Sequence, residues 1–330
     1  MTETEIEFDP YRHDPLHWGA SMVHHSEALV SCLNATGAKS VAEVGAYAGD
    51  LTRVLVDWAE RSGASVLAID PAPQENLVKL AADHDGLQLI RETSLNALPE
   101  LPMPDVVIID GDHNYYTVQE ELRTIGERAS GADLPLLLFH DVCWPHGRRD
   151  DYFAADQIPA DYRQAIISEG SGIFPGNPGA RRGGLPYPRS AAREGGPGNG
   201  VLTAVEDFAA QSDELRLVVV PAFFGFGALW HSDAPWAQSV ARVLEPLDRN
   251  PLLERLEANR VAHIAQEHAL RVELWDAQER LSRRDRVLQR MLQSSAFTVA
   301  ELLSRLRVRA GVAESQSVIS KDEIRNALRT

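Results

Sequence analysis

The chain has only two cysteines in 330 residues, Cys32 and Cys143. Two thiols cannot build a disulfide framework, and neither belongs to a CxxC or zinc-binding spacing, so a reducing compartment is expected. Aromatic residues are also sparse, at 7%. No apolar run approaches the ~20 residues needed to span a bilayer, and the opening MTETEIEFDPYRHDPLHW lacks a basic segment followed by an apolar one. The expectation is a cytoplasmic protein with no membrane partner. Positive charge is in deficit: the net charge of −16 argues against nucleic acid as a partner, because phosphate binding needs a basic surface. What remains is 44% hydrophobic content, enough for one large α/β domain with additions.

A second absence divides the chain. From Leu252 to Ala310 there is no glycine or proline, and residues 251–310 carry 11 Lys+Arg against 8 Asp+Glu, a net charge of +3. Leu274, Leu281 and Leu288 fall at heptad spacing, with Leu270, Ala277 and Met291 beside them and Arg284 interrupting an inner position. This pattern predicts long helices that pack on a partner subunit or on each other; a solvated helical tail docked on its own domain is the alternative. No repeat of 20 to 50 residues is present, which excludes a solenoid.

Before that tail, strand and helix signals alternate, and the alternation predicts a parallel sheet covered by helices. Strands are expected at 40–45, 65–70, 87–92, 105–110 and 134–141, with helices at 50–63, 74–84 and 116–129 between them. From Val142 to Gly200 the pattern breaks into a Gly-, Pro- and Arg-rich stretch, the signature of a functional lid or of disorder. A helix at 201–211 follows. LRLVVVPAFFGFGALW (215–230) then reads as two strands joined tightly at Pro221 and Ala222, closing one edge of the sheet as a hairpin.

Two strand ends are chemically unusual. VVIIDGDHNYY delivers Asp110, Asp112 and His113 directly after four β-branched residues, and LFHDVCWPHGRRD delivers His140 and Asp141. Buried charge is costly unless paired or metal-bound, and open α/β sheets bind ligands beyond the carboxyl ends of their strands. Asp110, Asp141 and His140 would be candidate ligands for Mg²⁺ or another divalent metal if the sheet order makes these two strands neighbours. Asp112 and Asn114 read more simply as a helix cap or a loop hydrogen bond. The first strand runs into VAEVGAYAGDLTRVL, where Gly45 and Gly49 flank a turn into a helix with free N–H groups. A dinucleotide loop would need GxGxxG, and its middle glycine is Tyr47 here.

The form ExGxxxG, with Glu43 at the strand end and Asp70 ending the next strand, resembles class I S-adenosylmethionine-dependent methyltransferases over roughly residues 40 to 231. The resemblance implies a Rossmann-like methyltransferase sheet. In it Glu43, Gly45, Tyr47 and Gly49 cradle the amino acid end of S-adenosylmethionine, Asp70 accepts the ribose hydroxyls, and Ser94, with Glu92 and Thr93, lies near the adenine, with Asp110 bordering the cofactor. The strand ending in IDGDHxY and the later HD are similar to metal-dependent sugar O-methyltransferases of antibiotic pathways. That likeness implies Asp110 and Asp141 as metal ligands and His113 as general base. His140 stands where those enzymes carry an acidic residue and makes the site softer, so metal-independent transfer with His113 or His140 as base stays open.

The resemblance implies a domain over 40–235 with a lid insertion at 142–200, an N-terminal helical cover at 1–39, an oligomerisation segment at 236–310 and a tail at 311–330. In the lid, Arg148, Arg149, Asp150, Tyr152 and Tyr162 suit a polyhydroxylated acceptor, and Gly-rich stretches at 176–184 and 195–200 would let it close. His24 and His25 are further candidates in the cover. The expected function is O-methylation of a sugar, glycosylated natural product or glycan hydroxyl by a homo-oligomer. A nicotinamide-dependent oxidoreductase and a non-catalytic interaction protein are the alternatives.

Overall fold

The computed structural model describes residues 18, 19, 21–312 and 318–328. Apolar residues alternate between two cores along each central strand. Val106 and Ile108 enter one core and Val107 and Ile109 the other; Leu136 and Leu138 divide from Leu137 and Phe139 in the same way. Strands buried on both faces are apolar throughout and belong in the middle of a sheet clothed by helices.

The strands are β1 (Ser40–Val44), β2 (Ser65–Ile69), β3 (Leu87–Ile90), β4 (Val106–Ile109), β5 (Leu136–His140), β6 (Gly172–Phe174), β7 (Asn177–Arg181), β8 (Leu215–Val220) and β9 (Phe226–His231). Seven of them form one sheet in the order β3-β2-β1-β4-β5-β9-β8, while β6 and β7 pair separately. The first five are mutually parallel, and β9 runs antiparallel to both β5 and β8, closing the edge as expected. The helices are α1 (Ser26–Thr36), α2 (Asp50–Ser62), α3 (Glu75–Asp83), α4 (Ser94–Ala97), α5 (Tyr115–Arg128), α6 (Val201–Ala209) and α7 (Ala237–Leu244). Leu33, Leu55, Leu77 and Leu244 place α1, α2, α3 and α7 on the first core; Ala97, Leu122 and Val205 place α4, α5 and α6 on the second. Each fully buried leucine contributes roughly 1.5–3 kcal/mol. This is a Rossmann-like parallel sheet closed at one edge by an antiparallel hairpin.

Every parallel strand stops one or two residues before the end expected from sequence, and the residues released are Gly45, Asp70, Arg91, Glu92, Asp110 and Asp141. Their side chains stand at the strand tips, while the N–H groups of Gly45, Asp70 and Asp110 still donate to the carbonyls of Ile69, Ile90 and Val44 on the neighbouring strands. The hairpin turn also differs. It is not a tight connection at Pro221 and Ala222 but spans 221–225, with Phe223 and Phe224 in left-handed conformations at φ 46° and 68°. Such backbone is costly for aromatic residues. The carboxylate of Glu257 offsets it by accepting from the N–H groups of Phe223 (3.0 Å) and Phe224 (2.8 Å).

Glu257 belongs to α8 (Pro251–Gln293), whose early turns, with α7, are part of the domain: Val261 and Ala265 pack with Trp18, Leu185 and Phe224. The described residues fall into two compact units that divide between His268 and Ala269, so the helical tail begins later than the expected boundary at 236. In the second unit α9 (Ser295–Arg309) is followed by α10 (Lys321–Ala327), and Lys321 N donates to Glu301 Oε1 at 3.3 Å. Of the expected cover at 1–39 and tail at 311–330, residues 1–17, 20, 313–317, 329 and 330 lie outside the described residues.

The insertion at 142–200 is pinned by a buried hub. Asp150 Oδ1 accepts from Tyr115 N (2.8 Å) and Gly200 N (2.7 Å), its Oδ2 from the Tyr152 hydroxyl (2.9 Å), and its own N–H donates to Asn199 Oδ1 (2.8 Å). The Gly-rich stretches are not hinges of a loose flap: Asn177–Arg181 is a strand, and Gly172 and Gly184 are in backbone contact that a side chain would prevent.

Candidate active site

β4 and β5 are neighbours, so their tips converge on one volume. His140 Nδ1 lies 3.0 Å from Asp110 Oδ1 and 3.2 Å from Asp141 Oδ2. From the loop after β4, His113 Nε2 lies 3.3 Å from Asp141 Oδ2 and 3.6 Å from Asp110 Oδ1. Two carboxylates and two imidazoles from separate strands thus meet, as the sequence led one to expect. Asp141 is held at φ 57°, a strained backbone that turns its carboxylate inward.

The electrostatics follow from this pairing. Burial works against the charge on His113, but Asp141 and Asp110 outweigh it and raise its pKa to about 9. His140 is likewise raised well above its ordinary value, against burial, by Asp141 and Asp110. Burial would raise both aspartates, yet His140 and His113 hold them below the usual carboxylate range.

The residues fit a divalent cation. Ligand atoms of Asp110, His140 and Asp141 lie within 4.8 Å of one another. His140 Nε2 faces the Phe223 carbonyl at 3.1 Å, which fixes the ring so that Nδ1 points at the carboxylates. An outer hydrogen bond of that kind is what orients a metal-ligating histidine.

The residues expected to hold a cofactor have partners that the sequence did not specify. A Cβ on Gly45 would lie 2.1 Å from the Asp110 carbonyl oxygen, so this glycine is required by the close approach of β1 and β4 tips. Gly49 is left-handed at φ 85° and caps α2. Tyr47, at φ 41° and 62% exposed, donates its N–H to Asp70 Oδ2 (2.7 Å), and Ala72 N donates to Asp70 Oδ1 (2.7 Å). Asp70 therefore ties two loops together and keeps lone pairs over. Glu43 is buried and accepts from Thr52 Oγ1 at 2.6 Å; burial pushes its carboxyl up to about 8, and it braces α2 rather than reaching open space. The Ser94 hydroxyl is bound to Glu121.

Asp112 accepts from Phe153 N (2.8 Å) and the Thr117 hydroxyl (3.2 Å), and Asn114 caps α5, so both are structural. His24 stacks on Phe223 at 4.6 Å, and His25 stands edge-on to His140 at 6.1 Å, so the N-terminal segment packs beside the cluster at the β5 tip. His25 is buried and neutral, its pKa lowered to about 4 by burial and by His140.

Two of the substrate candidates are turned away from the site. Arg149 is fully buried and donates to the carbonyls of Ala191 and Pro178, and Tyr152 is fully buried against Asp150. Arg148 pairs with Glu206 at 2.7 Å. The Arg149 Nη1 and Nη2 donors and the Tyr152 hydroxyl dock the insertion. The residues it presents to the site are His146 and Tyr187: the ring centroid of His146 is 5.2 Å from His113 and 5.0 Å from Tyr187. Neither carried a sequence signal, because each is defined by the path of an irregular loop.

No curated protein matches the chain. Among solved structures, the SAH-bound methyltransferase PaMTH1 of Podospora anserina is 16% identical over 66% of this chain and 86% of that one, with a TM-score of 0.38. The O-methyltransferase NcsB1 of neocarzinostatin biosynthesis is 14% identical over 64% and 55%, with a TM-score of 0.38. A Staphylococcus aureus protein assigned as a caffeoyl-CoA O-methyltransferase is 10% identical over 63% and 83%, with a TM-score of 0.38. Residues 42–142, running from β1 to just past Asp141, match the family model described as a methyltransferase domain. The segment that builds both strand tips is thus the part of the chain that resembles a methyltransferase domain.

Proposed function

We infer that the protein is an S-adenosylmethionine-dependent O-methyltransferase acting on a hydroxyl of a sugar, a glycosylated natural product or a glycan. The observation that carries this reading is the position of His113 Nε2 between Asp141 and Asp110, one strand from the Gly45 turn. S-adenosylmethionine supplies the methyl group. With the cofactor bound, transfer of its methyl to an acceptor oxygen would break the C–S bond, leave the electron pair on sulfur and require the hydroxyl proton to leave. His113 is the group placed to receive it. Asp110 and Asp141 now hold that ring charged; with both carboxylates satisfied by another partner, burial would favour the neutral ring, which can accept a proton. Asp110, Asp141 and His140 would hold a divalent cation, which supplies Lewis acidity toward the hydroxyl.

The test is a screen of glycosides with methyl-labelled cofactor, with and without EDTA, alongside calorimetry with S-adenosylhomocysteine and NAD. Label transfer to a sugar oxygen is expected. Tight NAD binding without S-adenosylhomocysteine binding would overturn the reading, and transfer that persists in EDTA would remove the metal alone.

A further inference from the structure

A carboxylate on α8, remote in sequence from every strand tip, reaches the candidate site through one peptide plane. In the turn at 221–225, Ala222 N donates to the carbonyl of Val220 (3.0 Å) and Gly225 N to that of Ala222 (2.8 Å). The two N–H groups between them, those of Phe223 and Phe224, donate instead to the buried carboxylate of Glu257. Arg260 holds that carboxylate in place, with Nε 2.7 Å from Oε2 and Nη2 2.6 Å from Oε1, and its guanidinium lies over the Phe224 ring at 4.4 Å.

The peptide bond between Phe223 and Phe224 is trans and planar, so its C=O and N–H groups point in opposite directions. Its N–H end is 2.8 Å from Glu257 Oε1, and its C=O end accepts from His140 Nε2 at 3.1 Å. Glu257 therefore aims the carbonyl that fixes the His140 ring. Turning the plane over would take Phe224 out of its left-handed φ of 68°, so local strain favours the flip and the carboxylate opposes it. After a flip the carbonyl no longer meets Nε2. The ring then loses the bond that keeps Nδ1 toward Asp110 and Asp141.

Resting on the divalent-cation reading above, we propose that Glu257 is a positioning residue that, by holding the peptide plane between Phe223 and Phe224, presents His140 Nδ1 as a ligand atom. It touches neither the cation nor the acceptor. Its loss weakens cation binding without removing any ligand.

The experiment compares the full chain with its Glu257→Met variant in two measurements. Calorimetry with Mn²⁺ reads the ligand geometry, and ¹H–¹⁵N spectra of the metal-free protein read the His140 Nε2–H, assigned by its absence in His140→Gln. In the wild type that hydrogen should exchange slowly, being buried and bonded to a carbonyl. In Glu257→Met, Mn²⁺ binding should weaken by about 10- to 100-fold and the signal should be lost to exchange. A purely structural role would lower Tm alone, so an unchanged Mn²⁺ affinity or an unchanged signal overturns the proposal. Glu257→Gln, which offers one acceptor oxygen to two N–H groups, should weaken binding less, by about threefold or more. Should Glu257→Met fail to fold, Glu257→Gln decides by the same two measurements. A wild type that binds no Mn²⁺ removes the cation reading itself, and the signal then decides the positioning role: its loss in the Glu257 variants supports that role and its persistence overturns it.

Discussion

His113 Nε2 lies 3.3 Å from Asp141 Oδ2, joining the loop after β4 to the tip of β5 across 28 residues of sequence. If His113 takes the acceptor proton, His113→Ala should lower kcat by about 10²- to 10⁴-fold. Binding of S-adenosylhomocysteine should stay within about threefold, since no cofactor-side loop depends on the ring. Single-turnover kinetics and calorimetry read the two quantities separately. Unchanged kcat would remove the assignment.

Cation binding should release protons. His140 is charged in the cluster and would have to give up its Nδ1 proton to serve as a ligand. Titration of Mn²⁺ in two buffers of different ionisation enthalpy should show proton release, and Asp141→Asn should weaken binding by an order of magnitude or more, roughly. No heat at millimolar Mn²⁺ would count against the site.

Stability should fall as pH rises from neutral. His113 is raised to about 9, and Glu43 and Glu121 each to about 8, so the folded chain holds protons that the unfolded chain releases. The His113 contribution is fully present below about 6.5 and is lost as pH rises through about 9; that of the two glutamic acids is lost on the way from about 4.3 to about 8. Asp141 has the opposite sign, its contribution being lost as pH falls. Calorimetric Tm should therefore decline by a few degrees across the alkaline window, and Glu121→Gln should flatten the slope. A Tm that is constant there would contradict these assignments.

Arg149→Met should unfold the insertion before it affects acceptor recognition. The guanidinium is fully buried among carbonyls, so its loss leaves them unpaired, at about 2–4 kcal/mol. Urea unfolding would detect this. An unaltered midpoint together with a raised acceptor KM would restore Arg149 as a substrate contact.

The stripe of the tail should bring copies together. Leu270 and Leu274 are 57% and 59% exposed, and Leu281 is exposed beside them at heptad spacing. Light scattering should find the full chain oligomeric and a chain ending at His268 monomeric, with cofactor binding kept. A monomeric full chain would end this expectation.

The strand positions were legible because their signal is local: four apolar residues in a row at 106–109 and the alternation of units need no knowledge of the partners. The pairing of Asp110 with Asp141 was legible for the same reason, since charges at the ends of adjacent strands must meet. Arg149 was misread because an arginine in a Gly-rich stretch looks solvated until its carbonyl partners, 29 and 42 residues away, are known. His146 and Tyr187 were missed because no period governs the loop that carries them.

The sequence by itself determined the order of strands and helices, the turn residues and which side chains stand at strand tips, since all of these follow from near-neighbour sterics and hydrophobic period. Only the tertiary structure decided which buried groups work on the crevice and which brace it. Glu43 against Thr52, Asp70 against Tyr47 and Glu121 against Ser94 are long-range hydrogen bonds, and a buried polar group takes its role from the partner that satisfies it.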